Sequence, residues 1–187
     1  MKRALFIDFE DSFTYNVVQE LTDIGLKVDL LPWMDFEEES DHDLLVLGPG
    51  PGHPEDYQRI FPLVLNWLKQ DKPLLGICLG HQIFWTLKGE KIVKSEKPLH
   101  GQKVKMELDH QWQEWLALGA QVMVQRYNSL TLKTPSAGKF PEMNFLSVEG
   151  EVMISRGKNV ITYQFHPESV GTSYRESFFA PILRDLV

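Results

Sequence analysis

The chain has 187 residues, 43% hydrophobic and 24% charged, ordinary values that predict a single globular domain over residues 1–187. Nineteen Lys and Arg against 26 Asp and Glu leave a formal charge of -7, which argues against a nucleic-acid partner or an anionic membrane surface, both of which need a basic face. The single cysteine, Cys78, rules out an intrachain disulfide; no apolar run is long enough for a membrane span, and Asp8 breaks the N-terminal one too early for a signal peptide, so a cytoplasmic, soluble protein is expected.

Short apolar runs alternate with helix-like stretches, the pattern of an α/β fold with a largely parallel sheet. Ala4 to Phe9 reads as a buried strand. A helix is predicted from Phe13 to Ile24, with Phe13, Val17, Leu21 and Ile24 on one face, Asp11 or Ser12 as cap and Gly25 just past its end. Lys27 to Leu31 and Leu44 to Leu47 read as the second and third strands. Between them, Asp35 to Asp43 carries six carboxylates among nine residues and reads as a solvated loop or short helix rather than a metal site. Phe61 to Lys69 is predicted helical, with Pro62 tolerated because it lies near the start. A strand from Leu74 to Cys78 leads into a helix from Leu79 to Lys88. From Ile92 to Tyr163 the alternation is β-like (Val104, Met106, Leu108; Val122, Val124; Val152, Ile154). The chain closes with an amphipathic helix carrying Phe178, Phe179, Ile182, Leu183 and Leu186.

Three segments carry chemistry. Gly76-Ile77-Cys78-Leu79-Gly80 lies where a strand hands over to a helix and has the spacing of a nucleophile elbow with cysteine as nucleophile. A sharp turn there lifts the side chain out of the sheet, flanking glycines admit close backbone packing, and the positive end of the helix favours the thiolate. The Leu79 N–H is then placed to bind an oxyanion. The bland alternative is a small buried hydrophobe, the common fate of a free cysteine; glycine at both flanking positions arises by chance roughly 0.5% of the time. The second segment is His166-Pro167-Glu168, after strand-like Val160 to Phe165. Residues two apart in an extended chain point the same way, so His166 is a candidate base and Glu168 its orienting carboxylate. A His-x-Glu pair alone is weak. The other five histidines lack zinc-ligand spacing, so no metal and no cofactor is assigned. The third is Gly48-Pro49-Gly50-Pro51-Gly52-His53-Pro54. Its prolines remove the N–H donors that a phosphate cradle needs, leaving a rigid turn beyond a strand's carboxyl end where a ligand can touch backbone, or a purely structural loop.

Together these segments resemble the triad type of class I glutamine amidotransferases. Pro73 to Gln82 matches the family's nucleophile signature and Gln164 to Ser169 its His/Glu signature. Pro49 to Gly52, Asp8 to Asn16 and Arg126 to Leu130 resemble the small glutaminase subunits of anthranilate and aminodeoxychorismate synthases. The resemblance runs from about residue 3 to the C-terminus. It implies a flavodoxin-like three-layer α/β/α sandwich with a mostly parallel central sheet, and hydrolysis of L-glutamine to glutamate and ammonia. It further implies that Cys78 attacks the amide, that His166 moves the proton, and that Glu168 orients His166. Gly50, Pro51, Gly52, Leu79, Gln82, Ser129 and Leu130 would line the glutamine pocket. The implied partner is a larger chorismate-binding subunit of the synthase. Other readings are a non-catalytic binding or regulatory relative, or a glutaminase serving another synthase. The sequence departs from the subfamily at Phe9 (usually Asn), Gly48 (Ser), Asn128 (His) and Thr162-Tyr163 (Gly-Val); none of these positions belongs to the triad.

Overall fold

The computed structural model describes residues 1–37 and 40–187. In chain order the strands and helices begin with β1 (Arg3–Asp8), α1 (Thr14–Asp23), β2 (Lys27–Pro32), β3 (Leu44–Leu47), α2 (Phe61–Lys69), β4 (Leu74–Ile77) and α3 (Leu79–Leu87). They continue with β5 (Ile92–Lys94), β6 (Gln102–Glu107), α4 (His110–Leu116), β7 (Gln121–Arg126), β8 (Leu130–Leu132), β9 (Asn144–Val148), β10 (Glu151–Gly157), β11 (Val160–Tyr163) and α5 (Arg175–Pro181).

The main sheet has the order β2-β1-β3-β4-β11-β10-β9. Its first five strands are parallel, and β10 and β9 extend it antiparallel. The parallel part has the strand order of a flavodoxin-like doubly wound sheet, whose ligands bind beyond the carboxyl ends of the strands. Strand residues alternate between two cores because successive side chains point to opposite faces. Ala4, Phe6, Leu44 and Val46 face a layer made by α1, α4 and α5, with Val17, Leu21, Trp112 and Phe178. Leu5, Ile7, Leu45 and Leu47 face α2 and α3, with Val64, Trp67, Ile83 and Trp85. Strands covered on both sides explain the unbroken apolar runs in the sequence. Two small antiparallel ribbons, β6–β7 and β5–β8, stand outside this sheet.

Several local expectations are corrected. Neither Asp11 nor Ser12 caps α1; the Asp11 carboxylate accepts the Phe13 N–H at 2.8 Å, just before the helix begins. The strand before His166 stops at Tyr163, short of Phe165. Helix α4 falls in the stretch read as β-like: Asp109 caps it by accepting the Trp112 N–H, and Trp112, Trp115 and Leu116 bury one face. Leu183 is exposed, because the final turn from Ile182 to Leu186 widens to π geometry and turns it outward. Glu38 and Glu39 of the acidic run lie outside the described residues. Of the rest, Asp41 and Asp43 pair with Arg3 and Lys2 on β1 and its approach, within a loop in which the Asp41 side chain stays 84% exposed.

Candidate active site

Cys78 joins β4 to α3 with φ 51° and ψ -99°, a backbone conformation that side-chain-bearing residues seldom adopt and that is held by surrounding structure where it persists. The Cys78 N–H donates to the Tyr163 carbonyl at 2.7 Å, and the Gly80 N–H donates to the Gly48 carbonyl at 3.1 Å. The glycines make this possible by close approach. A Cβ on Gly80 would overlap the Leu47 carbonyl, and one on Gly76 would meet the Gly80 backbone at 2.8 Å. The first turn of α3 therefore lies directly on the ends of β3 and β4. Leu79 opens the helix, where an N–H has no carbonyl four residues back to bond.

Beside this elbow, His166 Nδ1 and Glu168 Oε1 are 2.6 Å apart in the interior, both side chains almost fully buried. The expected extended arrangement is absent. The Ser169 N–H donates to the His166 carbonyl at 3.2 Å, so residues 166–169 form a turn that folds the carboxylate back onto the imidazole. The His166 N–H is held by the Gln125 carbonyl of β7 at 3.0 Å, and the Thr172 hydroxyl donates to the His166 carbonyl at 2.7 Å. Phe13 and Tyr127 pack their rings 4.8 and 5.0 Å from the imidazole. Burial, the largest single influence, lowers the histidine's proton affinity. Glu168 and then Cys78 outweigh it together and hold His166 well above its usual pKa. The arrangement thus offers a proton carrier facing a sulfur, with a carboxylate behind it.

The pocket candidates are brought together unequally. Gly50 packs so tightly on Phe9 and Leu79 that a Cβ would overlap both. Pro51 and Gly52 form the exposed rim; the Pro51 carbonyl accepts the Tyr57 hydroxyl at 2.9 Å and Gly52 takes φ +79°. Gln82 is buried, and its Nε2 donates to the Leu130 carbonyl at 3.0 Å. Ser129 is exposed and is anchored through its carbonyl, which accepts the Ser95 N–H at 2.9 Å. Among the described residues no hydrogen bond ties its side chain to the triad. Sequence reasoning missed Gln164, whose Nε2 lies 3.8 Å from Cys78 Sγ; it stands past the end of β11 at Tyr163, where strand alternation gives no signal.

The departures from the subfamily acquire structural reasons. Phe9 packs edge-on against Tyr57 beneath the Gly50 turn. At Gly48 a Cβ would meet the Phe6 ring at 2.6 Å, so the bulk of Phe6 calls for glycine. Thr162 Oγ1 lies 2.8 Å from Nδ1 of buried His81, and the Tyr163 hydroxyl donates to the Phe178 carbonyl at 2.7 Å. Asn128 joins Gln82 in supporting the Leu130 carbonyl, donating to it through Nδ2 at 2.9 Å.

Known proteins resemble this chain in sequence and in fold. The family model described as glutamine amidotransferase class-I matches residues 5–186. The chain is 34% identical over 183 residues to the pyocyanine-specific anthranilate synthase component 2 of Pseudomonas aeruginosa, covering 92% of this chain and 88% of that one. It is 32% identical over 176 residues to the aminodeoxychorismate/anthranilate synthase component 2 of Bacillus subtilis, covering 91% and 90%. The crystal structure of a glutamine amidotransferase from Thermotoga maritima shares the fold with a TM-score of 0.69 at 21% identity, over 89% of this chain and 76% of that one. With a cysteine elbow, a buried His–Glu pair against it and a family match over almost its whole length, this chain belongs to the class I glutamine amidotransferases.

Proposed function

We propose that the chain is the glutaminase subunit of a chorismate-aminating synthase, hydrolysing L-glutamine and passing ammonia to a larger subunit that makes anthranilate or 4-amino-4-deoxychorismate. The observation that carries the chemistry is the buried His166–Glu168 pair at 2.6 Å, set against the strained Cys78 elbow. Cys78 attacks the side-chain amide carbon of glutamine. The oxyanion that forms is stabilised by the Leu79 N–H and by an N–H of the Gly50 to Gly52 turn. His166 gives its proton to the departing ammonia, leaving a γ-glutamyl thioester. It then takes a proton from water, whose oxygen attacks the thioester, and returns it to sulfur as glutamate leaves. Glu168 fixes the imidazole's tautomer and balances its charge in both steps. Gly50, Pro51, Gly52, Gln82, Ser129 and Leu130 hold the substrate, partly through backbone groups.

The names of the relatives from Pseudomonas aeruginosa and Bacillus subtilis support the synthase assignment. Ammonia released in isolation would waste glutamine, so docking of the large subunit completes the competent site. Glutamate release is measured with and without each candidate synthase subunit, chorismate being present. The expected rise in the cognate complex is at least ~10-fold, about 1.4 kcal/mol of barrier. Full activity of the isolated chain, unchanged by either subunit, would rule out this partner class.

A further inference from the structure

We infer that Gln164 serves as a fixed hydrogen-bond donor to the Cys78 sulfur, aimed there by a buried polar chain that begins at the Arg126–Glu151 pair. The inference rests on the glutaminase reading for its purpose and on the hydrogen-bond pattern for its geometry. Gln164 is fully buried, and its Nε2 stands 3.8 Å from Cys78 Sγ, within the reach that sulfur's radius allows. Its Oε1 accepts from Gln82 Nε2 at 3.2 Å.

A carboxamide's oxygen and nitrogen have nearly the same shape, so orientation must come from neighbours that play only one role. This chain has such a neighbour at each controlling point. Arg126 only donates: its Nη2 reaches Glu151 Oε2 at 2.6 Å and its Nε reaches Asn128 Oδ1 at 3.0 Å. Glu151 is held in turn by the Ser95 hydroxyl at 2.7 Å. With its oxygen taken, Asn128 turns Nδ2 to the Leu130 carbonyl, which only accepts. The same carbonyl requires the nitrogen of Gln82, at 3.0 Å. The remaining Gln82 N–H then demands the oxygen of Gln164, which leaves the Gln164 nitrogen for the sulfur. Reversing Gln164 would set two NH2 groups against each other and place a carbonyl oxygen against a thiolate. Both faults are costly in the interior.

The donor matters because a buried thiolate needs partners. His166 is the titratable group that faces the sulfur and supplies one. When His166 hands its proton to ammonia, that partner becomes neutral, whereas Gln164 donates whatever the protonation state.

The test reads the sulfur directly. Cys78 is the only cysteine, so iodoacetamide labelling of the full chain, followed by intact mass, reports on it alone. Gln164→Met keeps the bulk and removes the donor; Gln164→Glu keeps the shape and turns an acceptor toward the sulfur. Relative to the wild-type chain, both are expected to alkylate about tenfold or more slowly at pH 7, the scale of one hydrogen bond to a charged group. Rates are compared from about pH 6 to about pH 10. In the complex, kcat should fall while KM for glutamine changes less than about twofold, since the donor acts on the nucleophile. If either variant retains the wild-type circular dichroism spectrum and alkylates at the wild-type rate across the pH range, the role of Gln164 is overturned. Labelling needs no glutamine, so its outcome is independent of the glutaminase reading; that reading fails instead if the wild-type chain releases no glutamate in any complex.

Discussion

Cys78→Ser keeps the shape of the elbow and removes the thiolate. Glutamine-dependent synthesis by the complex is therefore expected to vanish while synthesis from added ammonium continues, because only ammonia release uses the sulfur. His166→Ala should approach the same loss, about 10³-fold or more in kcat/KM. Glu168→Ala should be roughly 10- to 100-fold milder, since it orients rather than transfers. The double variant should be scarcely worse than His166→Ala; losses that multiply would contradict a shared role. These three residues were legible in the sequence because their chemistry is tied to residue type and short spacing. Gln164 was not, since a carboxamide has no reactivity of its own and its role shows only in its contacts with Cys78 and Gln82, 86 and 82 positions away. The turn at 166–169 was equally hidden: a strand-period argument put His166 and Glu168 on one side by the wrong geometry.

The junction of β3, β4 and α3 is where element packing bears most directly on the site. Gly80→Ala drives a methyl into the Leu47 carbonyl, a backbone atom that cannot step aside, so a loss of about 3 kcal/mol or more in urea unfolding is expected. Gly119→Ala, whose Cβ would meet nothing within 4 Å, should stay within about 0.5 kcal/mol and controls for the change itself. Equal effects at the two positions would show that α3 does not rest on the strand ends. The strands β1, β3 and β4 and the helices α1 to α3 were readable because burial on both faces writes continuous apolar runs and helical periodicity into the chain. Helix α4 was not, because its seven residues hold Trp112, Trp115 and Leu116 on one face between stretches that alternate. Two turns are too short for period alone to outvote their surroundings.

Across the whole molecule, a buried histidine outside the triad, His81, sets a pH limit. His81 is completely enclosed on α3, and burial lowers its pKa to about 3. Below its ordinary value of about 6.5 the unfolded chain binds a proton that the folded chain refuses. Its contribution is therefore complete above about pH 6.5 and is lost as pH falls toward 3, at up to about 1.4 kcal/mol per pH unit. His81→Gln should flatten that slope, measured as unfolding free energy between pH 7 and pH 4 in wild type and variant. Parallel curves would show that acid destabilisation has another source.

The two reacting groups, Cys78 and His166, stand on different mounts. Cys78 is carried by the main sheet through β4 and the Tyr163 carbonyl, whereas the backbone of His166 is latched to Gln125 on the separate β6–β7 ribbon, whose Met106, Val122 and Val124 are buried in the core beside that sheet. The nucleophile thus sits on the main sheet, and its proton carrier sits between that sheet and a ribbon packed against the same core. The imidazole and the sulfur thus answer to different hydrogen-bond ladders, one ending at Gln125 and the other at Tyr163.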